Sequence, residues 1–239
     1  MTERPHQLTR VVLADHPAAW RRAGFDVDDS GRFALGRTVV TCTGAGGDDR
    51  RTAFLGWSLD GIEGDLDGLP VAALDGDATS SEPGSGTAPS THPNGISSID
   101  HVVVRTGDCD RTIRAFESAG LEVRGGRSTT SYGAPMRQTF FWAGDVILEL
   151  VGPDSDPDGA AEPTTEEATS IFGIALVADD LDATSERMGE LLSEAKDAVQ
   201  KGRRIAGVRH RDAGIGLPVA VMSPHPRQGA GGAGYPSVT

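Results

Sequence analysis

The sequence predicts an α+β protein in which tandem βαβββ modules form a curved mixed sheet. Within the 239-residue chain, the stretches 98–152 and 169–224 show the same order of strands and helix. Their openings align without a gap, IDHVVVRTGDCDRT against IFGIALVADDLDAT, and ELVGP near the end of the first matches AVMSP in the second. A weaker echo at 7–72 predicts an additional, degenerate βαββ-like unit at the N-terminus.

The stretch 98–152 shows the order of elements most clearly. Its helix has an Asp near the start and Gly120 at the end, as caps require, and Ile113 and Phe116 give it one apolar side. The strands around the helix are predicted at 99–106, 121–130, 136–144 and 146–152. In the stretch 169–224, a strand runs into a helix after Asp179 and Asp180, and later strands are predicted at 202–210 and 216–224.

Composition divides the chain into segments. The predicted N-terminal unit is 1–74, and the Ser-, Thr-, Gly- and Pro-rich segment that follows is a linker, 75–97. The paired modules occupy 98–226, and the tail 227–239 is predicted to be disordered. Each unit alone would leave a sheet face uncovered, so units must pair, but the sequence does not indicate which unit accompanies the first.

Charge and apolar runs limit the partners. The net charge of −13 and pI of about 4.8 disfavour a nucleic-acid binder, which needs a basic surface. No apolar run approaches the roughly 20 residues that span a bilayer, and the N-terminus lacks a signal-like apolar region. The two cysteines fit no metal or disulfide spacing. The prediction is a cytoplasmic protein that binds a small molecule, with no nucleic-acid or membrane partner.

Strand alternation brings two reactive side chains together. Side chains point alternately to the two faces of a strand, so Asp100 is expected opposite His101. The face expected to line a pocket carries Ile99, His101, Val103 and Arg105. In the strand 146–152, Glu149 is expected on the same concave face as His101. An imidazole and a carboxylate on one face form half of a divalent metal site.

The repeated βαβββ order, the DHVVV strand and the ILELV strand resemble the vicinal-oxygen-chelate superfamily. That superfamily includes glyoxalase I, methylmalonyl-CoA epimerase, extradiol dioxygenases and bleomycin-resistance proteins. The resemblance covers 98–224, and 7–72 more faintly. It implies the glyoxalase/bleomycin-resistance fold, a homodimer, and metal ligation by His101 and Glu149, with Zn, Ni, Mn or Fe as the ion.

The second module departs from this pattern. Gly173 matches His101 and Ala220 matches Glu149, and neither replacement ligates a metal through its side chain. Two protein ligands would hold a divalent ion weakly, because enzymatic sites use three or more. His210, on the strand predicted at 202–210, is a candidate third ligand and pocket residue.

Structural roles compete with these assignments. His101 could simply line a pocket, and Glu149 could be an acid paired with Arg105 or Arg137, since a buried carboxylate needs a partner. Arg137 and Phe141 are further pocket candidates. They share one face of their strand with Thr139, opposite Gln138, Phe140 and Trp142, and the sequence does not decide which face is concave. Arg203 and Arg204 fit either a solvated edge or an anionic substrate.

Two functions follow. One is a metal-dependent lyase or isomerase that acts on a small carbonyl or thioester substrate, with Glu149 as the catalytic residue that moves a proton. The other is a metal-free protein that sequesters a small molecule, as bleomycin-resistance proteins do; the missing ligands at Gly173 and Ala220 favour it. A scaffold role has no specific feature in its support, and an extradiol dioxygenase would need a second histidine in register.

Overall fold

A computed structural model of the chain describes residues 6–46, 50–71, 91–131, 134–154 and 168–226. Most of the predicted linker and the whole predicted tail lie outside these ranges. The linker prediction extends too far at its C-terminal end, because a strand already begins at Ile96. None of the helices in the described ranges has the length and apolar character needed to cross a membrane.

The elements follow the predicted order, with three additional short strands and two additional short helices, α2 and α5. The helices are α1 Pro17–Arg22, α2 Arg50–Ala53, α3 Cys109–Ser118, α4 Leu181–Met188 and α5 His210–Ala213. The strands are β1 Leu8–Leu13, β2 Arg32–Leu35, β3 Thr38–Cys42, β4 Phe54–Leu59, β5 Gly64–Leu66, β6 Leu69–Val71, β7 Ile96–Arg105, β8 Val123–Ser131, β9 Ala134–Ala143, β10 Val146–Pro153, β11 Ser170–Ala178, β12 Lys196–Asp197, β13 Arg204–Gly207 and β14 Val219–Met222. The short strands β5, β6 and β12 were not predicted from the sequence.

An eight-stranded mixed sheet contains both predicted modules. Its strand order is β12-β13-β14-β11-β7-β10-β9-β8. In each module the first strand pairs in parallel with the last, β7 with β10 and β11 with β14. The two first strands, β7 and β11, pair antiparallel at the centre. The α+β class and the tandem βαβββ arrangement are confirmed.

Helices α3 and α4 cover one face of this sheet. Asp108 and Asp180 accept hydrogen bonds from backbone amides in the first turns of α3 and α4, which fixes where each helix begins. On the covered face, Phe116 of α3 packs on Phe141 of β9 with ring centroids 5.1 Å apart. Leu148 and Leu150 of β10 are fully buried on the same side.

The N-terminal residues form a second sheet with the same plan. Its strand order is β2-β3-β1-β4-β6-β5, with β1 parallel to β3, β4 parallel to β6, and β1 antiparallel to β4. The predicted N-terminal βαββ-like unit is present as β1-α1-β2-β3, and its partner, which the sequence left open, is the run β4-β5-β6 that follows it. The two shortened modules pair with each other through β1 and β4.

A repeated irregularity links the two sheets. Each of the four first strands contains an extra, unpaired residue opposite its central partner, which is a β-bulge. These residues are Thr9 in β1, Leu55 in β4, Asp100 in β7 and Phe172 in β11, and β7 has a second such residue at Ser97. The pentapeptide GLPVA also occurs twice, at 68–72 leading into β6 and at 216–220 leading into β14. The N-terminal sheet is thus a reduced copy of the larger one.

Polar contacts join the two sheets. Asp67, in the turn between β5 and β6, accepts hydrogen bonds from Arg111 Nε at 2.7 Å, Thr112 Oγ1 at 2.5 Å and Thr169 Oγ1 at 2.5 Å. Burial raises the pKa of Asp67, but these donors and the Arg111 charge outweigh it and hold that pKa below its usual range. The carboxylate therefore docks the N-terminal sheet beside α3 as an anion.

A buried histidine just before β7, His92, makes a separate contact with the N-terminal residues. The imidazole of His92 packs against the rings of Phe25 and Phe33, with centroids 5.2 and 5.7 Å away. Its Nδ1 accepts from the Asp26 amide at 3.2 Å, so Nε2, 2.8 Å from the Ala34 carbonyl oxygen, is the donor. Burial lowers the pKa of His92, because this environment favours the neutral ring.

We expect His92 to make the fold acid-sensitive. A histidine with a lowered folded-state pKa contributes stability that is complete above the unfolded value, near 6.5, and is lost as the pH falls through the folded value. The variant His92→Phe should lose less stability between pH 7 and 5 than wild type, as measured by urea denaturation. Some pH dependence should remain, since burial also lowers the pKa of His225.

The control is Phe33→Leu, which weakens the packing around His92 without removing the imidazole. It should lower stability at pH 7 and pH 5 alike, so the loss between these two pH values should stay close to that of wild type. An unchanged pH dependence in His92→Phe would contradict the assignment.

Candidate active site

A β-bulge in β7 places two neighbouring side chains on the same side of the sheet. His101 pairs with Ala175 and Ile99 pairs with Leu176, so Asp100 is the extra residue. Ile99 and Val102 both lie in the core. Asp100 and His101 consequently both point to the opposite face, which we call the His101 face. The expectation that Asp100 lies opposite His101, and that Ile99 shares the His101 face, is wrong, because simple alternation does not hold across a bulge.

His101 lies between two carboxylates. Its Nδ1 is 2.8 Å from Asp100 Oδ2, and its Nε2 is 3.5 Å from Glu149 Oε2. The side chains of His101 and Glu149 are 17% and 15% exposed, so solvent or a ligand can reach the pair. Gln138 Nε2 donates to the other oxygen of Glu149 at 2.6 Å. The sequence had suggested Arg105 or Arg137 as the partner of Glu149. Arg137 pairs instead with Asp110, and Glu149 contacts Gln138 and His101.

Asp100 is anchored from the second module. Arg203, immediately before β13, places Nη1 2.7 Å from Asp100 Oδ1, and both side chains are almost fully buried. The same Nη1 is 2.5 Å from Gln200 Oε1 and 3.3 Å from His225 Nε2, while Arg203 Nε donates to the Ser223 carbonyl oxygen. Arg203 was expected at a solvated edge or at an anionic substrate, and it is instead a buried partner of a carboxylate.

These contacts determine the charge of Asp100. Burial by itself raises the pKa of Asp100, but the hydrogen bond and charge of His101 and the charge of Arg203 outweigh it, so that pKa lies below its usual range. An ionised carboxylate only accepts hydrogen bonds, so His101 Nδ1 must carry the proton of that contact. The other ring nitrogen, Nε2, then faces Glu149 and the accessible side of the sheet.

The register of β9 decides which of its faces adjoins Glu149. Phe140 pairs with Glu149 and Trp142 with Ile147, so Gln138, Phe140 and Trp142 lie on the His101 face. Phe141 points the other way, is fully buried and stacks on Phe116.

The remaining predicted pocket residues divide between the two faces. Val103 and Arg105 share the His101 face, with Arg105 exposed at the end of β7. Arg137 lies on the face with Phe141, and its Nη1 pairs with Asp110 Oδ1 of α3 at 2.7 Å. Neither Arg137 nor Phe141 lines the face that carries His101, and Gln138 is the residue of β9 that sequence reasoning missed.

His210 does not join His101. It begins the short helix α5 rather than lying on a strand, because β13 ends at Gly207. Its Nδ1 is 2.8 Å from the Ile215 carbonyl oxygen, and the next residue, Gly216, donates its amide to Asp15 just after β1. Helix α5 contacts α1, so His210 belongs to the contact between the sheets.

The second module cannot supply the other half of a four-ligand metal site. Ala220 pairs with Ala175 as Glu149 pairs with Val103, which confirms that Ala220 occupies the matching position. At Gly173, an added Cβ would lie 2.6 Å from the Pro218 carbonyl oxygen, so backbone already fills the space that a side chain would need.

The donor set is therefore short of a typical metal site. His101 Nε2 and Glu149 Oε2 are two donors, and both oxygens of Asp100 are engaged by His101 and Arg203. Within the described ranges no three His, Cys, Asp or Glu side chains are grouped to hold an ion. Catalytic zinc sites use three protein ligands, and these residues do not fit that requirement.

Comparisons with known proteins agree with the topology. The sequence profile of the family described as "Glyoxalase-like domain" matches residues 99–221. No curated protein matches the chain at a significant level.

Several solved structures are similar to the chain. Methylmalonyl-CoA epimerase from Mycobacterium tuberculosis is 20% identical, with 60% of this chain and 95% of that one covered and a TM-score of 0.43. The Streptomyces coelicolor methylmalonyl-CoA epimerase bound to 2-nitronate-propionyl-CoA is 20% identical, with coverages of 54% and 97% and a TM-score of 0.39. A hypothetical protein from Bacillus halodurans is 16% identical, with coverages of 54% and 96% and a TM-score of 0.41.

The buried ion pair gives a stability prediction. Asp100→Asn leaves the Arg203 guanidinium buried without a counter-charge, and breaking such a pair costs about 3–5 kcal/mol. Urea denaturation should show that loss, and adding Arg203→Met should recover part of it, because the two effects are not additive.

The matched control is Asp182→Asn, which removes the partner of the neighbouring Arg204 in an exposed pair. Exposed pairs contribute about 0–1 kcal/mol. If Asp100→Asn were no more destabilising than Asp182→Asn, the Asp100–Arg203 contact would not be an energetically coupled buried pair.

Proposed function

The chain belongs to the glyoxalase-like domain family, and from that membership we propose that it is an isomerase or lyase that moves a proton next to the carbonyl of a small carbonyl or thioester compound. One observation carries the proposal. On the accessible His101 face, His101 Nε2 and Glu149 Oε2 face each other across 3.5 Å, and His101 Nδ1 is held by an ionised carboxylate. A positioned imidazole and carboxylate are the groups that general acid–base catalysis uses most often.

The chemistry requires one base and one hydrogen-bond donor. In the proposed step, the Glu149 carboxylate takes the proton from the carbon beside the carbonyl. The electron pair of that C–H bond forms the C=C bond of an enolate, and the carbonyl π pair moves to oxygen. Protonated His101 Nε2 donates a hydrogen bond to this oxygen as charge develops on it. Glu149 returning the proton to the same carbon restores a thioester or simple carbonyl compound. When that carbon carries a hydroxyl group, Glu149 can instead return the proton to the former carbonyl carbon while the hydroxyl proton passes to the enolate oxygen, which moves the carbonyl to the neighbouring carbon and completes an isomerisation.

The proposal does not depend on a metal. His101 Nε2 and Glu149 Oε2 could contact Zn, Ni, Mn or Fe, but two donors with Gly173 and Ala220 opposite them would hold an ion weakly. The step above is accordingly assigned to the side chains of this chain alone.

A second candidate function is sequestration of a cationic small molecule without reaction. The aromatic side chains of Phe140 and Trp142 share the His101 face with Glu149, and aromatic rings beside a carboxylate attract cations. The net charge of −13 would favour the approach of a cationic ligand.

Deuterium exchange tests the enzymatic proposal without knowledge of the substrate. Wild-type protein is incubated in D₂O with a panel of small thioesters, α-hydroxy ketones and hemithioacetals, and deuterium beside the carbonyl is measured by mass spectrometry. Glu149→Gln should lower the exchange rate by about 10²- to 10⁴-fold, the usual contribution of a general base.

The control is Glu122→Gln, because Glu122 lies in an exposed pair with Arg124. It should exchange at the wild-type rate. Exchange in Glu149→Gln at that same rate, or no exchange on any class in the panel, would remove the proposal.

Thermal shift separates the second candidate from the first. If the chain sequesters cations, ammonium and guanidinium ligands should raise Tm, with about 2.7 kcal/mol of stabilisation at a free ligand concentration of about 100 Kd. Glu149→Gln and Trp142→Leu should both reduce the shift. Shifts produced only by anionic or neutral thioester ligands would contradict this candidate.

A further inference from the structure

Polar contacts run across the His101 face from one module to the other. They begin at Gln138 and Glu149 of the first module, continue through His101 and Asp100, and end at Arg203 of the second. The second module has lost the side chains that match His101 and Glu149. Its polar contribution to this row comes instead from Arg203, at a position unrelated to the family's ligand pattern.

We propose that Arg203 is a positioning residue, which holds Asp100 and through Asp100 fixes the proton of His101 on Nδ1. The inference rests on the proposed function, since it concerns the ring nitrogen that faces the substrate. Arg203 itself is fully buried and is separated from the accessible face by Asp100 and His101.

The geometry of Arg203 is poor for a purely stabilising role. One nitrogen, Nη1, contacts Asp100, Gln200 and His225. The other terminal nitrogen, Nη2, is buried and has no hydrogen-bond partner in the described part of the chain. An orphaned buried donor costs about 1–3 kcal/mol. Replacing a buried ion pair by apolar residues is often neutral or stabilising. The pair is therefore better explained by what it does to His101 than by what it adds to stability.

Removing Arg203 should change which groups donate and which accept hydrogen bonds at Asp100 and His101. With Arg203 present, Asp100 accepts from His101 Nδ1, and Nε2 is left to exchange a proton with Glu149 or a substrate. Without the guanidinium, Oδ1 of Asp100 keeps only the exposed His225, whose Nε2 is 3.6 Å away. Burial then favours the neutral form of Asp100, which can donate a hydrogen bond to Nδ1. The ring proton of neutral His101 would then move to Nε2, and a second proton could not be added at Nδ1, which already accepts from the neutral carboxyl. His101 could then act only as a neutral donor, which is weaker than the doubly protonated ring of the proposed step.

Nuclear magnetic resonance measures this directly. In protein labelled with ¹⁵N in its histidine rings, the ¹⁵N shifts show which ring nitrogen carries the proton, and His101→Asn identifies the signals of His101. At a pH at which the ring is neutral, wild type should carry the proton on Nδ1. In Arg203→Met the main form should carry it on Nε2, and in Arg203→Lys, which keeps the charge, it should remain mainly on Nδ1.

Arg204→Met is the matched control, because Arg204 adjoins Arg203 in sequence but pairs with Asp182 in an exposed contact. It should leave the wild-type spectrum of His101 unchanged. A proton that stays on Nδ1 in Arg203→Met would overturn the proposal. So would an Nε2 proton in the wild-type protein, a result that needs no variant to fold.

The deuterium-exchange assay adds a separate readout. Arg203→Met should slow exchange by about 10- to 100-fold, the usual effect of removing a group that orients a functional histidine, whereas Arg203→Lys and Arg204→Met should retain most of it. If wild-type protein showed no exchange, the proposed reaction would be contradicted, but the resonance measurement would still test the role of Arg203. If Arg203→Met exchanged at the wild-type rate and kept the His101 proton on Nδ1, the role of Arg203 would be contradicted, but the proposed reaction would not.

Discussion

The ion pair between Asp100 and Arg203 is the contact on which the arrangement of the His101 face depends. It requires the bulge in β7, because only the extra residue at Asp100 turns that carboxylate to the same side as His101. It also requires the pairing of the two modules, since Arg203 comes from the second. A carboxylate this buried stays ionised only with such partners, and its ionisation decides which nitrogen of neutral His101 carries the proton.

The same bulge recurs in all four first strands, and the modules differ in the residue that follows it. His101 follows it in β7, Gly173 in β11, Arg10 in β1 and Gly56 in β4. Both glycines lie against a proline carbonyl oxygen of the repeated GLPVA segment, at 2.6 Å from an added Cβ for Gly173 and 3.3 Å for Gly56. In one half of each sheet, backbone therefore occupies the space that holds the side chain of Arg10 or His101 in the other half.

Much of this could be read from the sequence. The βαβββ repeat followed from apolar patterning and helix caps, and the shared face of His101 and Glu149 followed from alternation, since no bulge separates His101 from Val103. The face predicted for Asp100 from alternation was wrong, because a single sequence carries no reliable signal for a bulge. The burial of Arg203 depends on tertiary packing, which local sequence patterns do not encode. By contrast, the repeated GLPVA segment was visible, and it would have indicated that the N-terminal sheet contains two halves.

The two modules of the larger sheet contribute different side chains to the site, so both contribute to it without placing matching ligands around one point. A symmetric arrangement would place donors from both first strands around one point, which suits a metal ion. Here the first module supplies the imidazole and carboxylate at the accessible surface, and the second supplies a buried cation one layer behind them. A fixed charge behind a histidine changes how the ring holds its proton without occupying the space in front of it. The buried guanidinium therefore takes up no room on the accessible side of the sheet, where Nε2 and Glu149 lie.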